Sequence, residues 1–407
     1  MLLGKFYDGL EIHREEKIVY ARFLVPHRVI STCMAAGGLR DDLTHLYNHQ
    51  SCEPAGHHRP MHAQITRRPD GYRQLVSSRH GLPHEECATL GTAANMRYAV
   101  LKHQEFRELQ VIAVCTGGVE TNAGRVGDPA VVYEMDGAYE RVGVQEPVAH
   151  GTINTLLFVN RELTPGAMVR CVMTATEAKT AALQELAVNS RYSDGLATGT
   201  GTDQIGVASR LATGIPLTGA GKHSVLGELI GKTVHSAIRG TLALQNELTP
   251  EGQRSTVIHL ERFGATKERL REDVAARLNG SDSALFRANF SCVERDPLVV
   301  AAVAALAHLR DKVVWSILPE SCAPELAATY GAQIAAAVSG DITRLPAYRD
   351  HLAAASYTLT SGDLLSLAAH AMALGFREKW LDPETLETED STSCGTSPAS
   401  GSAENGR

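Results

Sequence analysis

The sequence predicts a mixed α/β or α+β fold over residues 1–250, with helices packed on a mixed β-sheet. An all-helical domain follows over 251–383, and a disordered tail over 384–407. Three observations carry this. Short β-branched runs at 17–32, 109–118, 151–160 and 202–209 alternate with two long helical patterns. Strand patterns of that strength stop after Pro250, where Ala/Leu-rich helical stretches take over. From Glu384 the chain turns acidic, then Ser/Gly-rich, with too few apolar residues to build a core.

The elements follow in order. KIVYARFLVPHRVIST (17–32) reads as two strands around Pro26. The polar, His/Arg/Pro-rich stretch 55–84 reads as loops with at most a short strand. Residues 85–106 read as a helix, with Leu90, Ala93, Arg97, Val100 and Leu101 at helical spacing and a small-residue middle at 91–95. LQVIAVCTGG (109–118) is a strand running into a glycine loop, and GTINTLLFVN (151–160) is another strand. Thr164-Pro165 opens a helix to about Leu186, with Thr as cap and Pro at the first helical position. TDQIGVAS (202–209) is a strand, and a long helix runs from about Ser224 to Leu248. VVAAVAALAHLRDKVVWSIL and LLSLAAHAMALGFREKWL mark the helical region beyond.

Bulk properties exclude several classes. The 407 residues carry a net charge of -7, against the basic surplus of a nucleic-acid binder. The N-terminus meets charges too early for a signal peptide, and no apolar stretch reaches membrane-span length. The 8 cysteines form no C-x-x-C pair and several lie in apolar runs, which predicts reduced thiols in a cytoplasmic protein. No sequence feature assigns an oligomeric state.

Four segments carry candidate chemistry. The loop TGGVETNAGRVGDPA (116–130) offers Gly117, Gly118, Gly124 and Gly127, whose N–H groups could cradle an anion or oxyanion, with Asn122, Arg125 and Asp128 beside them. A long solvated turn would use the same residues. ATGTGTD (197–203) supplies Thr200, Thr202 and Asp203 before a strand, where a plain connector is the competing reading. On the helix TATEAKTAALQEL (174–186), Thr174, Glu177, Ala181 and Glu185 share a face. Glu177 is the better candidate there, because Ala178 and Ala181 leave space, while Glu185 reads as solvated. His223 opens the next helix beside Ser224, a candidate cap, and imidazole trades protons near neutral pH. A surface capping-region histidine is the bland alternative. GAGK (219–222) is not a phosphate loop, since His223 stands where Ser or Thr is needed. His45/His49 and His57/His58/His62 lack zinc-site spacing, so no metal ligand is assigned and a catalytic divalent metal stays open.

Together, and in this order, VISTCMAAGGLR (29–40), GTAANM (91–96), TGGVETNAGRVGDPA, GTINTLLFVN, MTATEAKTAALQEL (173–186), ATGTGTDQIGVAS (197–209) and HSVLGELIG (223–231) resemble the adenosylcobinamide amidohydrolase family. The resemblance spans most of residues 20–240. The His/Arg-rich segment near 55–70 and everything after about 250 lie outside it. It implies removal of the aminopropanol arm of adenosylcobinamide to leave adenosylcobyric acid, in the salvage of incomplete corrinoids for cobalamin synthesis. It also implies that the cobalt belongs to the substrate, with no resident cofactor.

Amide hydrolysis needs an activated water, a home for the oxyanion and a proton for the departing amine. Asp128 or Glu177 is the expected base. The glycine loop 117–127 with Asn122 is the expected oxyanion donor set, and His223 the expected proton donor. Thr200, Thr202, Asp203, Asn95 and Asn154 are expected to contact the corrinoid periphery. The rival expectations are a corrinoid-binding salvage protein without catalysis and a metal-dependent amidohydrolase that acts on another substrate through the N-terminal histidines.

Overall fold

The computed structural model describes residues 1–53, 65, 67–142 and 151–380. The chain divides into two compact units, Met1–Gln253 and Arg254–Arg407.

The first unit is built on two mixed sheets. One has the order β1-β2-β3-β6-β7, from Leu2–Phe6, Leu10–Glu15, Ile18–Phe23, His45–Gln50 and Cys87–Thr92. The other is β5-β4-β15-β13-β9-β8, from Gly38–Arg40, His27–Ser31, Gln204–Arg210, Asn154–Val159, Leu109–Thr116 and Val100–Phe106. The pairs β6/β7 and β13/β15 are parallel; the other pairs in these sheets are antiparallel. The long helices among the described residues are α1 (Pro69–Arg79), α2 (Pro165–Glu185) and α3 (Val225–Asn246).

The sequence alternation sorts into layers. On β9, Val111, Ala113 and Cys115 face a core shared with α2 and α3, whereas Ile112 and Val114 face the other sheet. On β13, Leu157 and Val159 turn to the helices, and Leu156 and Phe158 to the sheet. Both strands are apolar throughout because both faces are covered. Beyond the first sheet, Tyr72 and Val76 of α1 pack on Ile18, Tyr47 and Cys87. The layers therefore run helix, sheet, sheet, helix pair.

Several expected elements hold. The strands flanking Pro26 are β3 and β4, and the long helices are capped by the Thr164 and Ser224 side chains. Others need correction. Residues 85–106 are not a helix. They form β7, a short 3-10 turn at Met96–Tyr98 and β8. Leu90 is buried between the sheets, and β8 pairs with β9 through a tight turn in which Arg107 has φ 53°. A run this short fits both periods, and strand pairing decides it. Within 55–84, α1 stands where loops were expected; residues 55–64 and 66, with His57, His58 and His62, lie outside the described residues. The strand β6 escaped the sequence reading because it is buried throughout yet carries His45, Asn48, His49 and Gln50.

The second unit is helical, as expected. It holds α5 (Thr256–Leu260), α6 (Lys267–Ala275), α7 (Gly280–Glu294), α8 (Pro297–Val314), α9 (Ala323–Ser339), α10 (Leu345–Ala353) and α11 (Ser361–Glu378); a short α4 (Pro250–Gln253) ends the first unit. Its core centres on Phe286, whose ring lies edge-on to Phe376 at 5.0 Å. Gly375 lets α11 press against the backbone of α9 at Ala335. Arg262 makes a bidentate pair with Asp311 at 2.9 and 2.6 Å. The expected disordered tail lies outside the described residues. No described helix is long and apolar enough to cross a membrane.

Candidate functional site

Four loops meet where β9 ends and β13 and β15 begin: 117–128, 151–153, 189–196 and 197–203. A two-residue ladder, β10 (Ala123–Gly124) with β14 (Gly199–Thr200), zips the first loop to the last.

Asp203 is the most heavily bonded group there. Its Oδ1 accepts from Ile153 N at 3.0 Å and Thr200 Oγ1 at 2.6 Å. Its Oδ2 accepts from Thr200 N at 3.1 Å and from Lys179 Nζ, which reaches across from α2. The Lys179 and Asp203 side chains are 15% and 16% exposed. Gly199 makes room for the pair, since a Cβ there would strike Asp203 Oδ2 and lie 2.8 Å from Lys179 Nζ.

A second group adjoins it. Asn122 Nδ2 donates to Gly151 O at 2.9 Å and Thr202 Oγ1 at 3.4 Å, and Asn122 Oδ1 accepts from Tyr192 OH at 2.7 Å. Thr202 Oγ1 bonds Thr152 Oγ1 at 2.5 Å and Gly151 O at 2.9 Å. Tyr192 N donates to Ser190 Oγ at 3.1 Å, and Ser190 Oγ donates to Asp128 Oδ2 at 2.6 Å. Through Thr202 N to Thr200 Oγ1 at 3.3 Å, the bonded residues link Asp128 to Lys179 by way of Tyr192 and Thr202. The chain opens to solvent at Gly201 and Thr202.

Electrostatics sort the members. Partial burial raises the Asp128 carboxyl, but the Ser190 and Ser193 hydroxyls, the Arg125 N–H and the Arg125 charge outweigh it and hold it below its ordinary value. Asp128 therefore stays ionised and is a weakened base. Burial, and then the nearby Asp128 charge, push the Tyr192 phenol up, so it remains a donor.

The chain thus unites Asp128, Asn122, Thr200, Thr202 and Asp203, with Gly124 packed 3.3 Å (to a Cβ built there) from the Tyr192 ring. It does not take in the other candidates. Glu177 pairs with Lys222 at 2.8 Å, with both side chains more than half exposed, and His223 next to it is exposed. Glu177 and Lys179 sit two residues apart, roughly 200° around the helix. Asn95 accepts from Arg97 N at 2.9 Å and caps the Met96–Tyr98 turn.

Asn154 is fully enclosed. Its Nδ2 donates to Asn48 Oδ1 at 2.8 Å and Gly91 O at 2.9 Å, and its Oδ1 accepts from Gln204 N at 3.2 Å. Asn48 Nδ2 goes on to Thr116 Oγ1 at 2.8 Å, and Gly91 N donates to Gln204 Oε1 at 2.8 Å. This buried amide network joins the two sheets; the Asn154 amide is fully engaged in it.

The glycine loop itself is differently employed from the expected oxyanion cradle. Gly117 N donates to Thr241 Oγ1, Gly118 N to Thr152 O and Val119 N to Asn246 Oδ1. Arg125 N goes to Asp128 Oδ2, Val126 N to Thr198 Oγ1 and Asp128 N to Arg125 O. Gly127, at φ 92°, closes that turn. These N–H groups hold the loop to α3 and to its neighbours.

Lys179, Tyr192, Thr152 and Ser190 were not singled out from sequence. Lys179 reads as a solvated position of an Ala-rich helix, and its signal lies in another segment, the Gly199 that vacates space beside Asp203. Seven described cysteines are free, five of them buried, and burial pushes Cys87, Cys115 and Cys171 up to about 12, which keeps them inert. Among the described residues no three His, Cys, Asp or Glu side chains gather as metal ligands.

Comparison with known proteins agrees with the first unit. The uncharacterized protein MJ1613 of Methanocaldococcus jannaschii is 38% identical over 182 residues, which are 44% of this chain and 71% of that protein. The family model described as adenosylcobinamide amidohydrolase matches residues 3–250, nearly the whole of that unit. The chain belongs to the adenosylcobinamide amidohydrolase family.

Proposed function

We propose that the first unit hydrolyses the aminopropanol amide of adenosylcobinamide, releasing aminopropanol and adenosylcobyric acid in corrinoid salvage. The observation that carries this reading is the family match over residues 3–250. The solvent-open chain of hydroxyls, amides and paired charges between Asp128 and Lys179 supports it, because a corrinoid periphery is rich in amides. The cobalt arrives within the substrate.

Water attacks directly. Asp128 is the first candidate for the base, being ionised and joined to Asn122 through Ser190 and Tyr192; Glu177 is the second. His223 is the candidate that hands a proton to the leaving amine. Thr200, Thr202 and Asn122 offer the polar edge for the substrate.

A second reading, corrinoid binding without catalysis, has one observation in its favour. The Asp203 carboxylate is saturated with four donors, and the Asp128 Oδ2 accepts two. One experiment separates the readings. The full-length chain is incubated with adenosylcobinamide, and products are identified by mass spectrometry. Hydrolysis yields free aminopropanol and the acid in equal amounts. Tight corrinoid binding with no aminopropanol released would favour the second reading.

A further inference from the structure

Lys179 is an unusual cation. Its side chain is 15% exposed, yet among the described residues Asp203 is the only hydrogen-bond partner of its ammonium. An ammonium has three N–H donors, so two are left over. At a part-buried position these two donors are open to water or to a ligand that displaces it. The surroundings are arranged around this group. Gly199 omits the Cβ that would displace it, and Asp203 is itself fixed by Ile153 N and the two donors of Thr200. Thr202 of the same chain is exposed, as is its neighbour Gly201.

We propose that Lys179 is the electrophilic residue of this site, with Asp203 as its positioning residue. The inference rests on the amide-hydrolysis reading and deepens it. The oxygen of water bonds to the amide carbon, and the carbonyl π pair moves onto the carbonyl oxygen, which faces the Lys179 ammonium. When the C–N bond breaks, that pair re-forms the carbonyl and the C–N pair leaves on nitrogen. Both protons of the water end on the departing amine, carried by the carboxylate base and the proton donor. The product is a carboxylate where the substrate was a neutral amide. Lys179 keeps its proton throughout and donates hydrogen bonds only. It therefore holds the oxyanion and the product carboxylate more strongly than the substrate amide.

The test uses that difference. The full-length wild type and the variants Lys179→Met and Lys179→Arg are titrated with adenosylcobyric acid and with the corresponding primary amide, read by corrinoid absorbance, and kcat and KM are measured on adenosylcobinamide. The wild type is expected to bind the acid at least about tenfold more tightly than the amide. Lys179→Met abolishes that preference and lowers kcat by on the order of 10²–10³ with KM within a few-fold. Lys179→Arg retains part of the preference. A merely structural lysine would weaken both ligands equally. Equal affinity of the wild type for acid and amide overturns the proposal, even if Lys179→Met fails to fold. An unchanged preference in a folded Lys179→Met overturns it as well. If the wild type releases no aminopropanol, the reaction reading falls, and the binding arm still decides Lys179.

Discussion

Gly199 tests the geometry of the Lys179–Asp203 pair most directly. Alanine there puts a Cβ inside contact distance of Asp203 Oδ2 and 2.8 Å from Lys179 Nζ. Asp203 is held by three further donors and Lys179 is tied to it at a part-buried position, so little room is left to retreat. Overpacking of this kind costs about 1–3 kcal/mol. If the pair is forced apart, separation of two part-buried charges adds to that loss. With a urea slope of about 3 kcal/mol per molar for a domain this size, the unfolding midpoint of the first unit should fall by roughly 0.3–1 M. The chain provides its own reference. Both tryptophans, Trp315 and Trp380, lie in the second unit, so their fluorescence should keep its midpoint while the β-sheet circular dichroism shifts. Gly166→Ala on α2, where a Cβ meets nothing within 4 Å, is the matched control. If Gly199→Ala and Gly166→Ala give the same midpoint, the packing of the pair is not as described.

Other outcomes follow from the same structure. His27 and His49 are buried, and burial lowers them to about 4 and about 3; His45 is lowered to about 4 in the same way. Folded pKa values below the unfolded one mean that the unfolded state takes up protons first, so stability of the first unit should fall as pH drops from about 6.5 towards 4, by up to about 1.4 kcal/mol per pH unit for each fully buried ring; a flat urea midpoint over that window contradicts this. Residues 1–253 alone should fold and retain turnover, and the cut belongs after Gln253 because its Nε2 donates to Leu186 O; a soluble but inactive fragment would show that the second unit completes the site. Asp128→Asn or Glu177→Gln should lower kcat by on the order of 10²–10⁴ with little change in KM if that residue is the base, and the acid limb of the rate profile should move with it. Near-normal turnover in both would end the carboxylate-base mechanism.

How much of this was legible in the sequence depends on how far each signal is local. The caps at Thr164 and Ser224 are local chemistry, and α2 and α3 begin where those residues say. The apolar runs of β9 and β13 are long enough to identify strands covered on both faces. Residues 85–106 failed because Leu90, Val100 and Leu101 satisfy a helical spacing by chance, and only pairing with β6 and β9 reveals strands. β6 failed for the opposite reason. Its His, Asn and Gln side chains are buried, and a polar strand carries no alternation to read. At the site, Asp128, Asn122, Thr200, Thr202 and Asp203 were visible as polar groups among glycines. Lys179 was not, since one helix sequence cannot say which of its charged faces another loop will cover.

The glycines and threonines of the site divide their labour in a way that constrains any mechanism. The N–H groups of 117–119 and 125–128 that hold the loop in place are engaged within the fold, so they are not offered to a ligand. What Gly199 contributes is room for the Lys179–Asp203 pair, whereas a Cβ at Gly201 would make only ordinary contact with Asn122 at 3.5 Å. The alternating threonines then supply hydroxyls that fix Asp203 and bridge to Asn122. Side chains are thus the groups that this part of the loop leaves for chemistry. Stabilisation of a developing negative charge falls to the cation among them with donors in reserve. That cation is on the flank of α2 away from Glu177, so a mechanism that places the oxyanion at Lys179 favours Asp128, on the same bonded chain, as the group that takes the proton from water.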